Sequence, residues 1–203
     1  LESAKISREA EAGGPGYGRY ALKREARRLA FTERQAVRQF AGVAVCSPED
    51  AHHFGEHAER AWVLPNGVDD ALMERPAVAR EKNHVVFVGT MNYWPNEQAM
   101  LYFHGEILPR IRERIPDAVL SIVGLKPPPS IRDLHDGKQI FVHADVPEVA
   151  PYVQRAALSI VPLRVGGGTR LKILESLALG TPVVSTTVGA EGLDLRDGDH
   201  LLL

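Results

Sequence analysis

The chain has 203 residues, of which 44% are hydrophobic and 25% charged, an ordinary balance for a globular protein. The net charge of −2 excludes a general attraction to nucleic acid or to anionic membranes, so any phosphate group must be bound locally. Cys46 is the only cysteine, which excludes an internal disulfide framework and favours a reducing compartment, and the apolar runs are too short to span a bilayer.

Both ends of the sequence have the features of an internal fragment. The chain begins with Leu1 rather than with Met, and it ends on three leucines that no turn residue follows. We therefore expect the chain to be part of a longer polypeptide.

The first third of the chain predicts a few local elements. The glycine-rich residues 13–18 predict a flexible loop. Apolar residues at spacings of three and four predict a helix over residues 20–40, and its opposite face is basic. A strand over residues 42–46, a helix that begins after Ser47 and a strand over residues 61–64 follow. We interpret the basic helix face as solvated, with an anionic lipid or a phosphate group as the alternative ligand.

Apolar strands alternate with helices in the rest of the chain. The polar residues 70–83 predict a linker, and Pro109 is expected to end or to kink the helix before it. The pattern predicts strands over residues 84–88, 118–123, 139–142, 158–163, 182–185 and 200–203. It predicts helices over residues 95–107, 131–134, 148–155 and 170–179. This alternation indicates a doubly wound α/β domain with a parallel sheet covered on both faces.

Ligands of such sheets bind at the carboxyl ends of the strands, where three loops carry unusual residues. One loop begins at Gly89, a second covers residues 143–147, and the third contains residues 163–169. Three consecutive glycines in the third loop let backbone amides approach a ligand without obstruction by side chains. They lead directly into a predicted helix, whose free amides and dipole favour an anion. We call residues 166–170 the glycine loop and predict that it binds a phosphate group.

The residues after the glycines extend this prediction. Arg170 and Lys172 place positive charge beside the anion site. Glu175 follows on the same helix, and a carboxylate there accepts hydrogen bonds from paired hydroxyls such as those of a ribose. The order along the chain therefore indicates a diphosphate followed by a ribose.

Here the sequence resembles a known family. Residues 166–185 together with residues 188–192 resemble the C-terminal half of retaining glycosyltransferases of family 4 (group 1), which have the GT-B fold with Rossmann-like domains. Residues 64–69 resemble the crossover between their two domains, and residues 86–90 resemble the first strand of their donor domain. The resemblance implies an incomplete N-terminal acceptor domain with the crossover over residues 1–69, a linker over residues 70–83, and a C-terminally truncated nucleotide-sugar donor-binding domain over residues 84–203.

The resemblance also implies roles for individual residues. Glu175 would bind the donor ribose, while Glu191 would contact the hydroxyls of the sugar or cap a loop. The donor diphosphate would be bound by Gly89, Thr90, Gly166, Gly167, Gly168, Thr169, Arg170 and Lys172. The base would lie near His143, Ala144, Asp145 and Val146. The catalytic residues are unknown, and the main catalytic groups are expected in the missing part of the N-terminal acceptor domain.

The sequence departs from the family at two places. Members share two glutamates separated by seven positions, and Glu175 matches the second of them, but Gly167 occupies the position of the first. The loop that begins at Gly89 also lacks the Arg and Lys that many members use to neutralise the diphosphate. Arg170 and Lys172 are assigned that role instead.

The implied reaction is the transfer of a sugar from a nucleotide diphosphate sugar to a glycan or lipid-linked acceptor, with retention at the anomeric carbon, as in polysaccharide biosynthesis. No metal or other cofactor is expected, because helix amides and basic side chains stabilise the leaving diphosphate. We expect a cytoplasmic protein at the inner face of the membrane, peripheral membrane association, no nucleic-acid partner, and a fragment that binds its donor without catalysis. The alternatives are a sugar-nucleotide epimerase of the same two-domain plan and a non-catalytic nucleotide-sugar-binding module.

Overall fold

The computed structural model describes residues 1–13, 18–168 and 170–203. Most of the predicted loop over residues 13–18, and Thr169 of the glycine loop, therefore lie outside the described residues. The chain divides into two compact units. Unit 1 contains Leu1–Gly67, Val165–Arg170 and Glu191–Asp194, and unit 2 contains Val68–Arg164, Leu171–Ala190 and Leu195–Leu203. The predicted domain boundaries themselves stay predictions.

Unit 1 combines helices with a two-stranded parallel sheet. A small apolar core joins these elements around Val37, Val45 and Phe54. The elements are α1 (Glu2–Glu11), α2 (Arg19–Gln39), β1 (Val43–Val45), α3 (Pro48–His52), a 3₁₀ helix (Gly55–Arg60) and β2 (Ala61–Val63).

Local sequence signals account for two of the helices in unit 1. The predicted amphipathic helix is α2, which buries Ala26 and Val37 on one face. Helix α3 begins as predicted, because the Ser47 side chain accepts a hydrogen bond of 3.2 Å from the Asp50 N–H and Pro48 occupies the first helical position. Helix α1 was not predicted, and Ile6 is the one large apolar residue in its sequence.

Unit 2 is an α/β unit with a five-stranded parallel sheet in the order β5-β4-β3-β6-β7. This confirms the predicted fold class. The strands are β3 (Glu81–Val88), β4 (Val119–Gly124), β5 (Ile140–Ala144), β6 (Ala156–Val161) and β7 (Val183–Ser185). The helices are α4 (Asp70–Met73), α5 (Trp94–Tyr102), α6 (Leu108–Arg112), α7 (Pro129–Arg132), α8 (Ala150–Arg155), α9 (Leu171–Ala178) and α10 (Thr187–Ala190).

The central strand β3 shows that both faces of this sheet are covered. Val85 and Phe87 pack into an apolar core with residues of α5, among them Met100. Val86 and Val88, which alternate with them, pack into a second core with Val153 and others. Because successive side chains of a strand point to opposite faces, helices cover the sheet on both sides.

Pro109 does not end the helix in which it lies. Helix α5 passes into a π-helical segment over Phe103–Ile107, and α6 then continues through the proline. Proline lacks the N–H of a helical hydrogen bond, and its ring clashes with the carbonyl group four residues earlier. A wider π turn before the proline moves that carbonyl away, which is a common way to accommodate such a residue.

Two predictions at the borders of unit 2 need correction. The predicted strand over residues 200–203 is wrong, because only single bridges, Val184 with Leu202 and Asp197 with Leu201, form there. The polar residues 70–83 are not all linker, since they contain α4 and the first residues of β3. Backbone pairing with β6 begins at Glu81 although the side chains there are polar. Among the described residues, no helix is both long and apolar enough to cross a membrane.

Candidate functional site

The carboxyl ends of β3 and β4 meet through their glycines. The Gly89 N–H donates to the carbonyl oxygen of Val123 at 3.0 Å. A Cβ atom added to Gly124 would lie 1.8 Å from the carbonyl oxygen of Gly89, far inside van der Waals contact. The absence of a side chain at Gly124 therefore lets the two strand ends pack backbone to backbone at this edge of the sheet.

Lys172, in the first turn of α9, extends to the loop that follows β3. Its ammonium group donates to the Oδ1 atom of Asn96 at 3.0 Å and lies 4.3 Å from the centre of the Phe87 ring. A Cβ atom added to Gly89 would lie 3.0 Å from the same ammonium nitrogen. Lys172 thus brings a positive charge to the loop whose own sequence contains none.

Asn96 is a site residue that the sequence analysis missed. Its amide nitrogen donates to the carbonyl oxygen of Thr90 at 3.0 Å, while its amide oxygen accepts from Lys172. One buried side chain therefore connects two residues predicted to bind the diphosphate, Thr90 and Lys172, and it lies beside a third, Gly89. A polar residue in the first turn of the helix after a strand-end loop was the signal that could have revealed it.

Glu175 lies one turn after Lys172 on α9 and is half-buried. The helix is fixed to the sheet below it, because the Ser176 hydroxyl donates to the Ser159 hydroxyl at 3.0 Å. Within the part of the chain that the structure describes, the Glu175 carboxylate forms no hydrogen bond or ion pair. Its acceptor sites are therefore available to the hydroxyls of a ligand.

His143 stands at the end of β5, in the predicted base-binding loop. Its ring packs 4.6 Å from that of Tyr152, and its Nε2 atom lies 3.4 Å from the Ser121 hydroxyl. Burial lowers the pKa of His143 below its usual value, and the charges of His135, His84 and Arg155 lower it further. A neutral imidazole donates a hydrogen bond from one ring nitrogen and accepts at the other, so the nitrogen that faces away from Ser121 could bind a single group of a nucleobase.

The other residues of this loop are placed by its backbone. Asp145 adopts a positive φ of 52°, and its carboxylate accepts a hydrogen bond of 2.8 Å from the Lys126 N–H. The Asp145 N–H donates to the carbonyl oxygen of Gly124 at 2.9 Å. Asp145 therefore connects two strand-end loops of unit 2. Ala144 is exposed beside it, and Val146 packs on the core below.

The glycine loop belongs to unit 1. Gly166 has a φ of 135° and Gly168 a φ of 89°, values that residues with a side chain rarely adopt. Arg170 is buried, with 4% of its surface exposed, and donates from Nη1 to the carbonyl oxygen of Gly167 at 3.1 Å. Its guanidinium group thus lies beneath the loop and adds a fixed positive charge there.

Glu191, predicted as a sugar contact or a loop cap, lies beside the glycine loop in unit 1. Arg8 of α1 binds its carboxylate with both terminal nitrogens, at 2.8 Å for the pair Nη2 and Oε1. Arg8 also donates to the carbonyl oxygen of Gly166 at 3.0 Å. Sequence analysis missed Arg8, since its partners lie more than 150 residues away along the chain and no local pattern indicates them.

Within residues 1–13, 18–168 and 170–203, no group of three or more His, Cys, Asp or Glu side chains is arranged to hold a metal ion. The expectation of a metal-independent protein stays a prediction.

Comparison with known proteins identifies the family. The sequence profile described as "Glycosyl transferases group 1" matches residues 82–203, more than half of the chain. A D-inositol 3-phosphate glycosyltransferase of Geodermatophilus obscurus is 27% identical and aligns with 86% of this chain and 44% of its own length. An uncharacterised 44.6 kDa protein in the cps region of Klebsiella pneumoniae is 28% identical and aligns with 59% of this chain and 33% of its own length. The chain therefore spans less than half the length of these curated relatives.

Solved structures share the fold at low sequence identity. The structure of TarM has a TM-score of 0.68 and 13% identity, over 88% of this chain and 36% of TarM. The pneumococcal O-GlcNAc transferase GtfA, solved with UDP and GlcNAc, has a TM-score of 0.64 and 11% identity, over 85% of this chain and 35% of GtfA. Anabaena Alr3699/HepE, solved with UDP-glucose, has a TM-score of 0.57 and 14% identity, over 84% of this chain and 54% of its own.

These structures agree with the parallel sheet and helix order of a Rossmann-like GT-B domain, as predicted. The family profile, which extends through Gly89, Lys172 and Glu175, adds the assignment that fold alone does not give. The chain belongs to the glycosyl transferases of group 1.

Proposed function

We propose that this chain carries the donor-binding part of a glycosyltransferase that moves a sugar from a nucleoside diphosphate sugar with retention of configuration. The observation that carries the proposal is the position of Lys172. Its ammonium group lies at the Gly89 loop, at the carboxyl edge of the sheet, where ligands of parallel sheets bind. A cation at that edge suits a diphosphate.

The chemistry requires stabilisation of a leaving group. When the bond between the sugar and the diphosphate breaks, negative charge grows on the diphosphate oxygens. Lys172 is held by Asn96 before any ligand arrives, so its charge is already oriented. The amides of the glycine loop and the buried charge of Arg170, which belong to unit 1, are donors of the same kind. Donors of this kind stabilise a leaving diphosphate without a metal ion.

The test is a calorimetric titration of the chain with UDP, GDP and ADP, each compared with its nucleoside. We expect one diphosphate to bind with a Kd of roughly 10 to 1000 µM and its nucleoside to bind at least about tenfold more weakly, since a charge-assisted hydrogen bond contributes about 1.5–3 kcal/mol. We expect no sugar transfer by the chain itself. Absence of binding of all three diphosphates at millimolar concentration would contradict the proposal.

An epimerase of the same two-domain plan and a non-catalytic binding module are less well supported. Residues 82–203 match a glycosyltransferase family, and the relative that aligns with most of the chain is named as a glycosyltransferase. We therefore favour a glycosyltransferase over both alternatives.

Glu175→Ala is expected to weaken binding of the preferred nucleoside diphosphate by about tenfold. The Glu175 carboxylate would accept both ribose hydroxyls, and loss of charged acceptors contributes about 1.5 kcal/mol. The 2′,3′-dideoxy form of the same nucleotide lacks those hydroxyls and should bind the wild type and the variant equally. Glu106→Ala, at an exposed helical position, serves as the control. Equal weakening of the normal and dideoxy nucleotides would contradict a ribose role.

For the acceptor, we propose a glycan or lipid-linked molecule at the inner face of the cytoplasmic membrane, with α2 as the membrane contact. Tyr20 and Phe31 of α2 are 82% and 65% exposed, and Arg24 and Arg27 lie between them on the same side of the helix. Exposed aromatic and basic residues on one helix face are typical of helices that lie on anionic lipid surfaces.

Vesicle sedimentation tests this contact. The chain should bind vesicles that contain phosphatidylglycerol and should not bind pure phosphatidylcholine. Reversal of two charges in Arg24→Glu/Arg27→Glu should weaken binding at least about tenfold, because each basic residue near the surface contributes about 1 kcal/mol. The matched control is Arg110→Glu/Arg114→Glu, two exposed charges near α6. If the control weakens binding as much, the attraction is general and α2 is not its site.

A further inference from the structure

We infer that Glu191 provides the carboxylate that binds hydroxyls of the transferred sugar, and that Arg8 is the residue that positions it. The inference rests on the proposed function and concerns residues of unit 1 alone. It addresses the position at which the sequence has Gly167 and the family motif has a glutamate.

The surroundings of Gly167 leave little space for a side chain. A Cβ atom added there would lie 3.2 Å from the Cβ atom and 3.4 Å from the Cα atom of Lys5 in α1. The first of these distances is tighter than an ordinary van der Waals contact, and both atoms lie at the base of the Lys5 side chain rather than at its flexible end. A glutamate at 167 would require Lys5 to move by a few tenths of an ångström.

A carboxylate is nevertheless present beside the glycine loop. Both terminal nitrogens of Arg8 donate to Glu191, and the Nη2 atom of Arg170 lies 4.0 Å from the Oε2 atom of Glu191. The carboxylate therefore lies between two guanidinium groups. Such a planar, two-point contact fixes the plane of the carboxylate as well as its position.

Arg8 connects this carboxylate to the loop that is proposed to bind the diphosphate. The same Nη1 atom that contacts Glu191 donates to the carbonyl oxygen of Gly166 at 3.0 Å. Arg170 donates to the next carbonyl, that of Gly167, at 3.1 Å. The position of Glu191 relative to the glycine loop is thus set by two arginines that contact both.

Glu191 retains the capacity to bind a ligand. A carboxylate has about four acceptor sites, and the two hydrogen bonds from Arg8 occupy two of them. The side chain is 36% exposed, so the remaining sites are accessible from solvent. A carboxylate repels a second anion, whereas it accepts readily from neutral hydroxyls. The ribose and the sugar ring of a nucleoside diphosphate sugar both offer such hydroxyls, and because the ribose is assigned to Glu175, we assign the sugar ring to Glu191.

The experiment compares two ligands that differ only in the sugar. Kd values for UDP and UDP-glucose are measured by calorimetry on the chain and on Glu191→Gln, Arg8→Gln, Arg8→Lys and the double variant Arg8→Gln/Glu191→Gln. GDP with GDP-mannose and ADP with ADP-glucose are measured in parallel, and the pair that binds is used. The ratio of the two Kd values isolates the contribution of the sugar. Arg75→Gln, which removes a similar ion pair with Glu148 in unit 2, is the matched control.

We expect Glu191→Gln to raise the ratio of the sugar-nucleotide Kd to the diphosphate Kd about fivefold, with little change in the diphosphate Kd itself. Arg8→Gln should raise the ratio similarly, and the double variant should not exceed either single variant, because both changes remove the same contact. Arg8→Lys, which retains the charge but not the two-point contact, should give an intermediate ratio. Arg75→Gln should leave the ratio unchanged.

Three results would overturn the inference. An unchanged ratio in Glu191→Gln excludes the sugar contact. Equal weakening of UDP and UDP-glucose in Arg8→Gln, with a lowered melting temperature, makes Arg8 a stabilising residue only. If the effects of the two single variants on the ratio add up in the double variant, Arg8 and Glu191 act independently, and Arg8 does not position Glu191. If Arg8→Gln does not fold, Arg8→Lys and Glu191→Gln still decide the outcome. If no diphosphate binds at all, the proposed function fails and this inference fails with it.

Discussion

Gly124→Ala is expected to abolish folding of unit 2 or to destabilise it by roughly 3 kcal/mol or more, the range of severe overpacking. The added methyl carbon would lie 1.8 Å from the carbonyl oxygen of Gly89 and 2.8 Å from its carbonyl carbon. Both atoms belong to the backbone of the adjacent strand end, so relief requires the separation of β3 from β4. These strands form the centre of the sheet, which makes the change large.

Thermal unfolding followed by circular dichroism, together with the soluble yield, measures this effect. Gly105→Ala is the matched control, because a Cβ atom at Gly105 meets nothing within 4 Å and the residue lies in a helical segment. There alanine should leave stability unchanged or raise it by about 0.5–1 kcal/mol. Melting of Gly124→Ala at the same temperature as Gly105→Ala would show that the two strand ends do not pack as described.

Lys172→Met is expected to weaken binding of the preferred nucleoside diphosphate by about thirtyfold. The ammonium group would form a charge-assisted hydrogen bond to a phosphate oxygen, a contact of about 1.5–3 kcal/mol. Methionine retains an apolar side chain against the Phe87 ring, so the packing of α9 is preserved while the charge is lost. The free nucleoside, which has no phosphate, should bind the variant and the wild type alike.

Calorimetry measures the Kd of the diphosphate and the Kd of its nucleoside for the wild type and for Lys172→Met. Lys138→Met is the control, since Lys138 is an exposed lysine just before β5 and thus at the opposite edge of the sheet from the proposed site. In Lys172→Met, the Kd for the diphosphate should also depend less on salt concentration, because the charge of Lys172 is lost. A loss of affinity shared by nucleoside and diphosphate, or one matched by Lys138→Met, would contradict a phosphate role for Lys172.

The sequence predicted the sheet of unit 2 because its strands are nearly continuous apolar runs. β4 and β6 are recognised in this way, and α9 by its position after the glycines. Ser47 was recognisable as a helix cap because capping depends on residues three positions apart. Signals of this kind depend on residues that are close in the sequence, so they do not require knowledge of contacts with the rest of the chain.

Contacts between distant residues could not be predicted in the same way. Asn96 with Lys172 and Arg8 with Glu191 join residues separated by 76 and 183 positions, and neither pair shares a local pattern. The incorrect strand over residues 200–203 has a related cause, since an apolar run does not show how far backbone pairing extends, and the pairing with β7 is limited to Leu202. The roles proposed for the site residues therefore depend on geometry that the sequence does not contain.

The most direct test of the account is amide chemical-shift mapping on the isotope-labelled chain, titrated with the nucleoside diphosphate that binds best. The central claim is that the diphosphate is bound in unit 2, at the loop after β3 and beside Lys172. We predict that the largest shifts in unit 2 appear at the amides of Thr90 and Lys172, and that they saturate with the calorimetric Kd. Saturable shifts confined to other regions of unit 2, with these two amides unmoved, would contradict the account.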